Sequence, residues 1–397
     1  MIEQLDEELA QDVSAWTMTT VARDPHPAWS ALQIADFTRD MDLAAEEHAR
    51  PALQRYRDFL ADELLPAARE SGSPGLAGLT LGERCYAERL AWYTSLELDP
   101  GELEAQGRAA LADLGAELVA LAGPRLGTTD VPSTLERLST DDALYFTSEE
   151  GVEAAAKAAV KRAWKALPAW VGKRPKVRVT VEPLPAFYAE RASAGLYVGP
   201  GRDGDVGRYM VNTSRPATRP IFEAEPLAFH EAVPGHHLQR TLAKKGVPGF
   251  RRFTGYSPFI EGWALYAEEL ALEMGLYTGD FDRVGQLSMA MLRAARLVVD
   301  TGLHAGGWSR EEAQAFLLAN TALTAEEAEV QVERYLARPG QAVSYWVGAA
   351  EIRALREQAE AAMGDRFDIV GFHRLVLEAG EITVEMMRER VTHWIEG

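Results

Sequence analysis

Cysteine is nearly absent: Cys85 is the single thiol in 397 residues. That excludes an intramolecular disulfide and any thiolate metal site, and Cys85 itself is expected to be a buried structural thiol. Long apolar runs are missing too, so no segment is expected to span a bilayer. The first sixteen residues are acidic and lack a basic region followed by an apolar stretch. No secretion signal is therefore expected, and a cytoplasmic location is. Positive charge is scarce: 41 Lys and Arg against 60 Asp and Glu give a formal net charge of -19. Such a balance opposes general affinity for nucleic acid or an anionic membrane surface.

What is present reads as an ordinary globular protein, with 47% hydrophobic and 25% charged residues. The length allows two or three domains, yet helical enzymes of this size are often one continuous two-lobed body. Residues 2–122 are expected to be helical, with Pro25, Pro27, Pro51, Pro66 and Pro74 marking turns or first helical positions. Tyr86, Leu90 and Tyr93 recur at helical spacing and are expected in the core. Asp99-Pro100 reads as a helix N-cap followed by proline at the first position. Two glycines and a proline between Gly123 and Thr129 mark the expected lobe boundary, giving an N-terminal helical lobe, 1–122, and a metal-binding helical region, 123–397.

Thr147 and Glu150 suggest a capping box ahead of a helix that reaches about Trp170. Val177, Val179 and Val181 then alternate with polar residues up to Pro183, the signature of a short strand. Further extended segments are expected near Leu196 to Val198 and Tyr209 to Asn212, around a Gly-rich loop from Gly199 to Gly207. That loop is not a phosphate cradle, because it lacks the following lysine motif and its aspartates repel phosphate. Beyond Ile221 the pattern is helical, with Asp280, Ser309/Glu312 and Thr324/Glu327 as capping signals. The fold class is mainly α with a small β-sheet near the site, whose edge offers pairing to an extended peptide.

The densest chemistry lies in HEAVPGHHLQ, His230 to Gln239. Two histidines four apart on a helix, with a glutamate after the first, supply two zinc ligands and a general base. Here His236 and His237 fall six and seven residues after His230. On an undistorted helix, six steps turn His236 off the face of His230, and seven carry His237 about 10 Å along it. Pro234 cannot donate to the His230 carbonyl and crowds it, while Gly235 frees the backbone. A bulge or local unwinding that swings His236 toward His230 is therefore expected. The plainer reading is a helix break held by histidine hydrogen bonds.

A third ligand is expected from EGWALYAEEL, Glu261 to Leu270. Glu261 and Glu268 share a helix face two turns apart; one can bind metal while the other orients a histidine. Asp300 precedes His304 by four, so its carboxylate could orient the ring or raise its pKa. Arg293 and Arg296 could grip a substrate carboxylate, and Tyr197, in the second extended segment, is a candidate substrate contact.

HEAVPGHHLQ followed by EGWALYAE resembles the hallmark of the bacterial family of unknown function DUF885. The resemblance continues through RLVVDTGLHAGGWSREEA, Arg296 to Ala313, and RPGQAVSYWVGAAEIRALR, Arg338 to Arg356, so it covers roughly the C-terminal half. The wider likeness is to helical zinc peptidases such as the carboxypeptidase Taq and thimet oligopeptidase families. It implies a helical, gluzincin-like architecture with a substrate cleft. By that likeness Gly235-His236 matches a Gly-His pair, which favours His236 over His237 as ligand, and Glu261 matches the third ligand with Glu268 behind it. Tyr345 matches a tyrosine that reaches the substrate.

The function expected is that of a zinc-dependent metallopeptidase with one Zn2+ held by His230, His236 and Glu261. Glu231 would act as general base, and His304 or Tyr345 would steady the oxyanion. The partner is a peptide or a small amide, with neither nucleic acid nor membrane. The alternatives are a zinc hydrolase of a non-peptide amide or ester, a non-catalytic metal- or peptide-binding protein, and a helical interaction module without metal.

Overall fold

The computed structural model describes residues 1–68, 72–185, 189, 192–200, 206–243, 247–248, 251 and 255–397. The chain divides into two compact units, Met1–Glu70 and Ser71–Gly397. The division does not fall at residue 123, and the reason lies in the core. Leu111, Leu118 and Ala122 pack in one cluster with Val284, Val298 and Tyr335, so much of the expected N-terminal lobe shares its interior with the C-terminal half.

In the first unit, α1 (Ile2–Leu9), α2 (Ala31–Ala44) and α3 (Arg50–Asp58) carry a small core around the fully buried Trp16. The indole donates to the carbonyl of Glu8 at 2.9 Å. Ser30 and Gln33 form a reciprocal capping box at the start of α2.

The second unit is mainly helical. It begins with α4 (Gly82–Thr94), α5 (Pro100–Leu126), α6 (Val131–Thr140), α7 (Glu149–Ala166) and α8 (Pro168–Val171). Tyr86 and Leu90 of α4 are buried as expected, whereas Cys85 is exposed. One residue is a turn of about 100°, so seating Tyr86 in the core turns its neighbour out. Asp99 caps α5 through the amide of Glu102 at 2.9 Å. The helix does not stop at Gly123: Pro124 forgoes only the bond to Ala120, and α5 ends at Gly127, whose φ of +70° closes it. Ser148, not Thr147, caps α7, accepting from the Gly151 amide at 3.2 Å.

The sheet has three strands, β1 (Arg178–Pro183), β2 (Gly195–Val198) and β3 (Val206–Val211), in the order β1-β3-β2. β1 runs parallel to β3 with Val181 opposite Tyr209, and β2 runs antiparallel to it with Tyr197 opposite Tyr209. Residues 201–205 of the Gly-rich segment lie outside the described residues.

The rest is helical: α9 (Ala224–Glu231), α10 (His236–Ala243), α11 (Ser257–Glu273), α12 (Asp280–His304), α13 (Arg310–Asn320), α14 (Ala325–Ala337), α15 (Ser344–Met363), α16 (Ile369–Leu377) and α17 (Val384–Glu396). The boxes at Ser309/Glu312 and Thr324/Glu327 both form. Asp280 is the first residue of α12, with Gly279 as N-cap. From Val284 to His304 every residue of α12 except Leu292 is buried, the mark of a helix enclosed on all sides. α11 and α15 touch backbone to backbone. A Cβ on Gly262 would lie 2.5 Å from the Gly348 carbonyl carbon, and one on Gly348 would lie 2.0 Å from the Pro258 oxygen. The Ser257 and Ser344 hydroxyls, 2.6 Å apart, tie the same crossing.

Candidate metal centre

The six-residue spacing from His230 to His236 is taken up by a break between two helices. α9 ends at Glu231, and the chain turns through Ala232 (φ -102°, ψ -100°) and a cis Val233-Pro234 bond. The Gly235 amide reaches back to the Phe229 carbonyl at 2.9 Å, and the His237 amide to that of Ala232 at 2.9 Å. Only glycine fits at 235, because a Cβ there would lie 1.9 Å from the His230 carbonyl oxygen. The buried indole of Trp263, on α11, donates to the Pro234 carbonyl at 2.9 Å and fastens the turn.

The turn brings His230 and His236 together, with ring centroids 4.8 Å apart and planes at 82°. Their Nε2 atoms lie 3.7 and 3.5 Å from the same Oε2 of Glu261. Four ligands at 2.0–2.1 Å around a tetrahedral zinc are about 3.4 Å from each other, so both of these N···O separations stand close to the edge length a metal requires. Glu231 joins the group, with one carboxylate oxygen within 4.8 Å of a nitrogen of each histidine. His230 is enclosed, with 6% side-chain exposure, while Glu261 at 22% and His236 at 11% are more accessible.

Behind His230 the network is fully buried. Its Nδ1 lies 2.7 Å from Oε1 of Glu268, which also accepts from Nη2 of Arg293 at 3.2 Å. An ionised carboxylate only accepts, so the Nδ1 carries the proton and Nε2 is the nitrogen left for a ligand role. Burial works against protonation of His230, but Glu261 and Glu268 outweigh it and raise the imidazole to about 9. Burial likewise opposes the charge of Glu261, yet the two imidazoles hold it well below the usual carboxylate range. A site that favours cations this strongly, with nitrogen and oxygen donors at these separations, fits a divalent metal.

The other expected site residues are dispersed. His237 is fully buried and turned away: Nε2 donates to the Val177 carbonyl at 3.1 Å, and Nδ1 accepts from the Tyr197 hydroxyl at 3.0 Å. Burial pushes it down to about 4, so the ring is neutral and both nitrogens are committed, one to Tyr197 of β2 and one to Val177 just ahead of β1. Tyr197 accordingly anchors β2 to α10, and its hydroxyl is spent there instead of on substrate. Arg293 is buried and serves Glu268 and the Met289 carbonyl, which removes it as a substrate grip.

His304 is not an oxyanion donor. Its Nδ1 accepts from the Leu76 amide at 3.1 Å and its Nε2 donates to the Tyr335 carbonyl at 3.2 Å. It also sits eleven residues along α12 from Arg293, about 16 Å by helical rise. Asp300 takes hydrogen bonds from the Tyr86 hydroxyl at 2.6 Å and the Gly340 amide at 2.9 Å.

Tyr345 lies on α15, the helix that crosses the one carrying Glu261. It stands three residues before Gly348 and Glu261 stands one before Gly262, on the two helices whose glycines touch. Its hydroxyl accepts from Arg334 at 3.0 Å, and Arg296 lies over its ring, 4.6 Å from the centroid. The sequence held no signal for Arg334. Nor did it single out Tyr209, whose fully buried hydroxyl has no hydrogen-bond partner among the described residues. Burial first, and then the nearby Glu231 charge, hold that phenol protonated.

Comparison with known proteins fits these motifs. The model of a family described as bacterial protein of unknown function (DUF885) matches residues 1–391. The chain belongs to the DUF885 family. The match reaches well beyond the C-terminal half in which the motifs concentrate. A protein from Colwellia psychrerythraea, described as a "putative lipoprotein", has a crystal structure similar to all of this chain. It aligns at TM-score 0.94 and 28% identity over 69% of its own length. A second, a "putative lipoprotein" of unknown function from Shewanella oneidensis, shares the fold at TM-score 0.71 and 19% identity, over 98% of this chain and 73% of its own. No protein of curated function matches. No helix among the described residues is long and apolar enough to cross a membrane.

Proposed function

We propose that this DUF885 member is a zinc-dependent metallopeptidase of short peptides, with a gluzincin-like centre at the break between α9 and α10. The observation that carries the reading is the convergence of two imidazole nitrogens on one oxygen of Glu261, at 3.7 and 3.5 Å, with Glu231 beside them. His230, His236 and Glu261 would hold a single Zn2+. When bound, the cation supplies Lewis-acid polarisation of a carbonyl and acidifies water.

The remaining chemistry belongs to the chain. Glu231 accepts the proton of the attacking water and returns it to the leaving amine. Glu268, itself held by Arg293, keeps the His230 proton on Nδ1 and fixes the ring. Tyr345 accepts from Arg334 and so keeps its own proton to donate to the oxyanion that develops on the scissile carbonyl. β2, an outer strand of the sheet and tethered to α10 by Tyr197, offers an edge for an extended substrate.

The test is mass spectrometry of a diverse peptide mixture incubated with zinc-loaded protein and with Glu231→Gln. Cleavage by the wild type alone supports the peptidase. No cleavage by either, with zinc bound, overturns it and leaves a non-peptide amide or ester hydrolase or a binding protein. Cytoplasmic residence belongs to the same proposal, and recovery in the membrane fraction overturns that part.

A further inference from the structure

We propose that Arg296 and Arg334 form a receiving site for the free carboxylate of the substrate, so that the centre acts on short peptides at their C-terminal end. The inference rests on the peptidase reading and adds the end of the substrate that is recognised.

The two arginines flank one ring. Arg296 lies 4.6 Å and Arg334 5.7 Å from the centroid of Tyr345. Among the described residues, every hydrogen-bond partner of either guanidinium is a neutral oxygen. Arg296 donates from Nε to the Tyr335 hydroxyl at 3.2 Å and from Nη2 to Gln331 Oε1 at 3.3 Å. Arg334 donates from Nη2 to Gln341 Oε1 at 2.9 Å and to the Tyr345 hydroxyl at 3.0 Å. The other buried or half-buried arginines near the centre are arranged differently: Arg293 meets Glu268, Arg353 meets Glu269 and Arg356 meets Glu273. A guanidinium taken out of water without a counter-ion is costly. Arg296 is 5% exposed, and its Nη1 has no partner among the described residues. Arg334 is half-buried, and its Nη1 and Nε carry no hydrogen bond among the described residues.

The pair also stands at the right place. Glu268 and Glu261 are two turns apart on α11, and Arg293 reaches Glu268 from α12. Arg296, one turn further along α12, sits toward the Glu261 end, where the crossing of Gly262 with Gly348 also places Tyr345. Burial opposes the charge of Arg296, and the oxygens of Tyr335 and Tyr345 and the Glu261 carboxylate favour it. Two forks with no carboxylate hydrogen-bonded to them among the described residues, flanking the ring of Tyr345, match a planar anion that arrives with the substrate.

Binding is read on zinc-loaded Glu231→Gln protein, in which turnover does not interfere. The probes are an N-acetylated dipeptide with a free C-terminal carboxylate and the same dipeptide amidated, compared by calorimetry. The acid is expected to bind roughly tenfold to a hundredfold tighter than the amide. Adding Arg334→Gln or Arg296→Gln should close that gap, and Arg296→Lys should restore part of it. Thermal melts identify any variant that fails to fold; Arg334→Gln, at a half-buried position, then carries the test. Equal binding of acid and amide, no binding of either, or a gap that persists in the folded variants overturns the proposal. The two readings fail separately. If the wild type cuts acid and amide equally well, the carboxylate site falls and the peptidase stands. If it cuts neither while the gap exists and closes, the peptidase falls and the carboxylate site stands.

Discussion

Glu268 accepts the Nδ1 proton of His230 at 2.7 Å from a position with no solvent exposure. The same oxygen receives Arg293, so one carboxylate fixes both the tautomer and the tilt of the first histidine in HEAVPGHHLQ. Glu268→Gln keeps the shape but lets the amide flip and weakens the acceptor. Zinc affinity is expected to fall about 10–100-fold, measured by competition with a chromogenic chelator. Unchanged affinity would remove the orienting role of Glu268.

Gly235→Ala should damage the centre without touching any ligand. The new methyl would meet the carbonyl oxygens of His230 and Phe229 at 1.9 and 2.4 Å, so the turn must open. A loss of about 2 kcal/mol or more is expected, together with loss of stoichiometric zinc. Urea denaturation and metal analysis of the same preparation check both. A variant that melts like the wild type and holds one zinc refutes the account of the turn.

His304→Ala separates structure from chemistry. The substitution strands the Leu76 amide and the Tyr335 carbonyl, which should cost about 1–3 kcal/mol for each group left buried and unpaired. Turnover per folded molecule should match the wild type. A large fall in kcat with an unchanged melting temperature would restore His304 to the reaction.

Two buried groups should tilt stability with pH in opposite directions. Burial drives His373 down to about 4, against backbone support from Trp170. Its contribution is full above 6.5 and drains as pH falls toward 4. Burial drives Asp300 up to about 7, against the Tyr86 and Gly340 hydrogen bonds. Its contribution is full below 3.8 and is lost as pH rises through 7. Between pH 7 and 5 each effect is on the order of 2 kcal/mol. On acidification across that range, His373→Gln should lose less stability than the wild type and Asp300→Asn should lose more. Urea midpoints at the two pH values decide it, and parallel shifts in all three proteins count against both assignments.

Much of this was legible in the sequence because it is written in local rules. Val179 and Val181 of the expected alternation lie in β1, which starts just after Val177, Asp99 capped α5, and Ser309 and Thr324 closed their boxes. The pairing of His230 with His236 was also foreseeable, since Pro234 and Gly235 leave few ways for the backbone to continue. What failed concerns partners far apart in sequence. Spacing put Asp300 beside His304, but the carboxylate found Tyr86 and Gly340 and the imidazole found Leu76 and Tyr335. Arg293 and Arg296 look alike on paper, and only the packing of α12 against α11 gives one a carboxylate and leaves the other without. Arg334 carried no pattern at all, because its significance arises where α14 meets the start of α15.

The contact between Gly262 and Gly348 has an engineering consequence. Two absent side chains set the separation between the helix that carries Glu261 and the helix that carries Tyr345, so the two backbones meet as closely as packing permits. Any larger residue at either position would act as a shim. It would part the two helices while every polar group of the centre stayed chemically intact. Helix spacing and chemical competence are thus governed by different residues, and one could be retuned without rewriting the other.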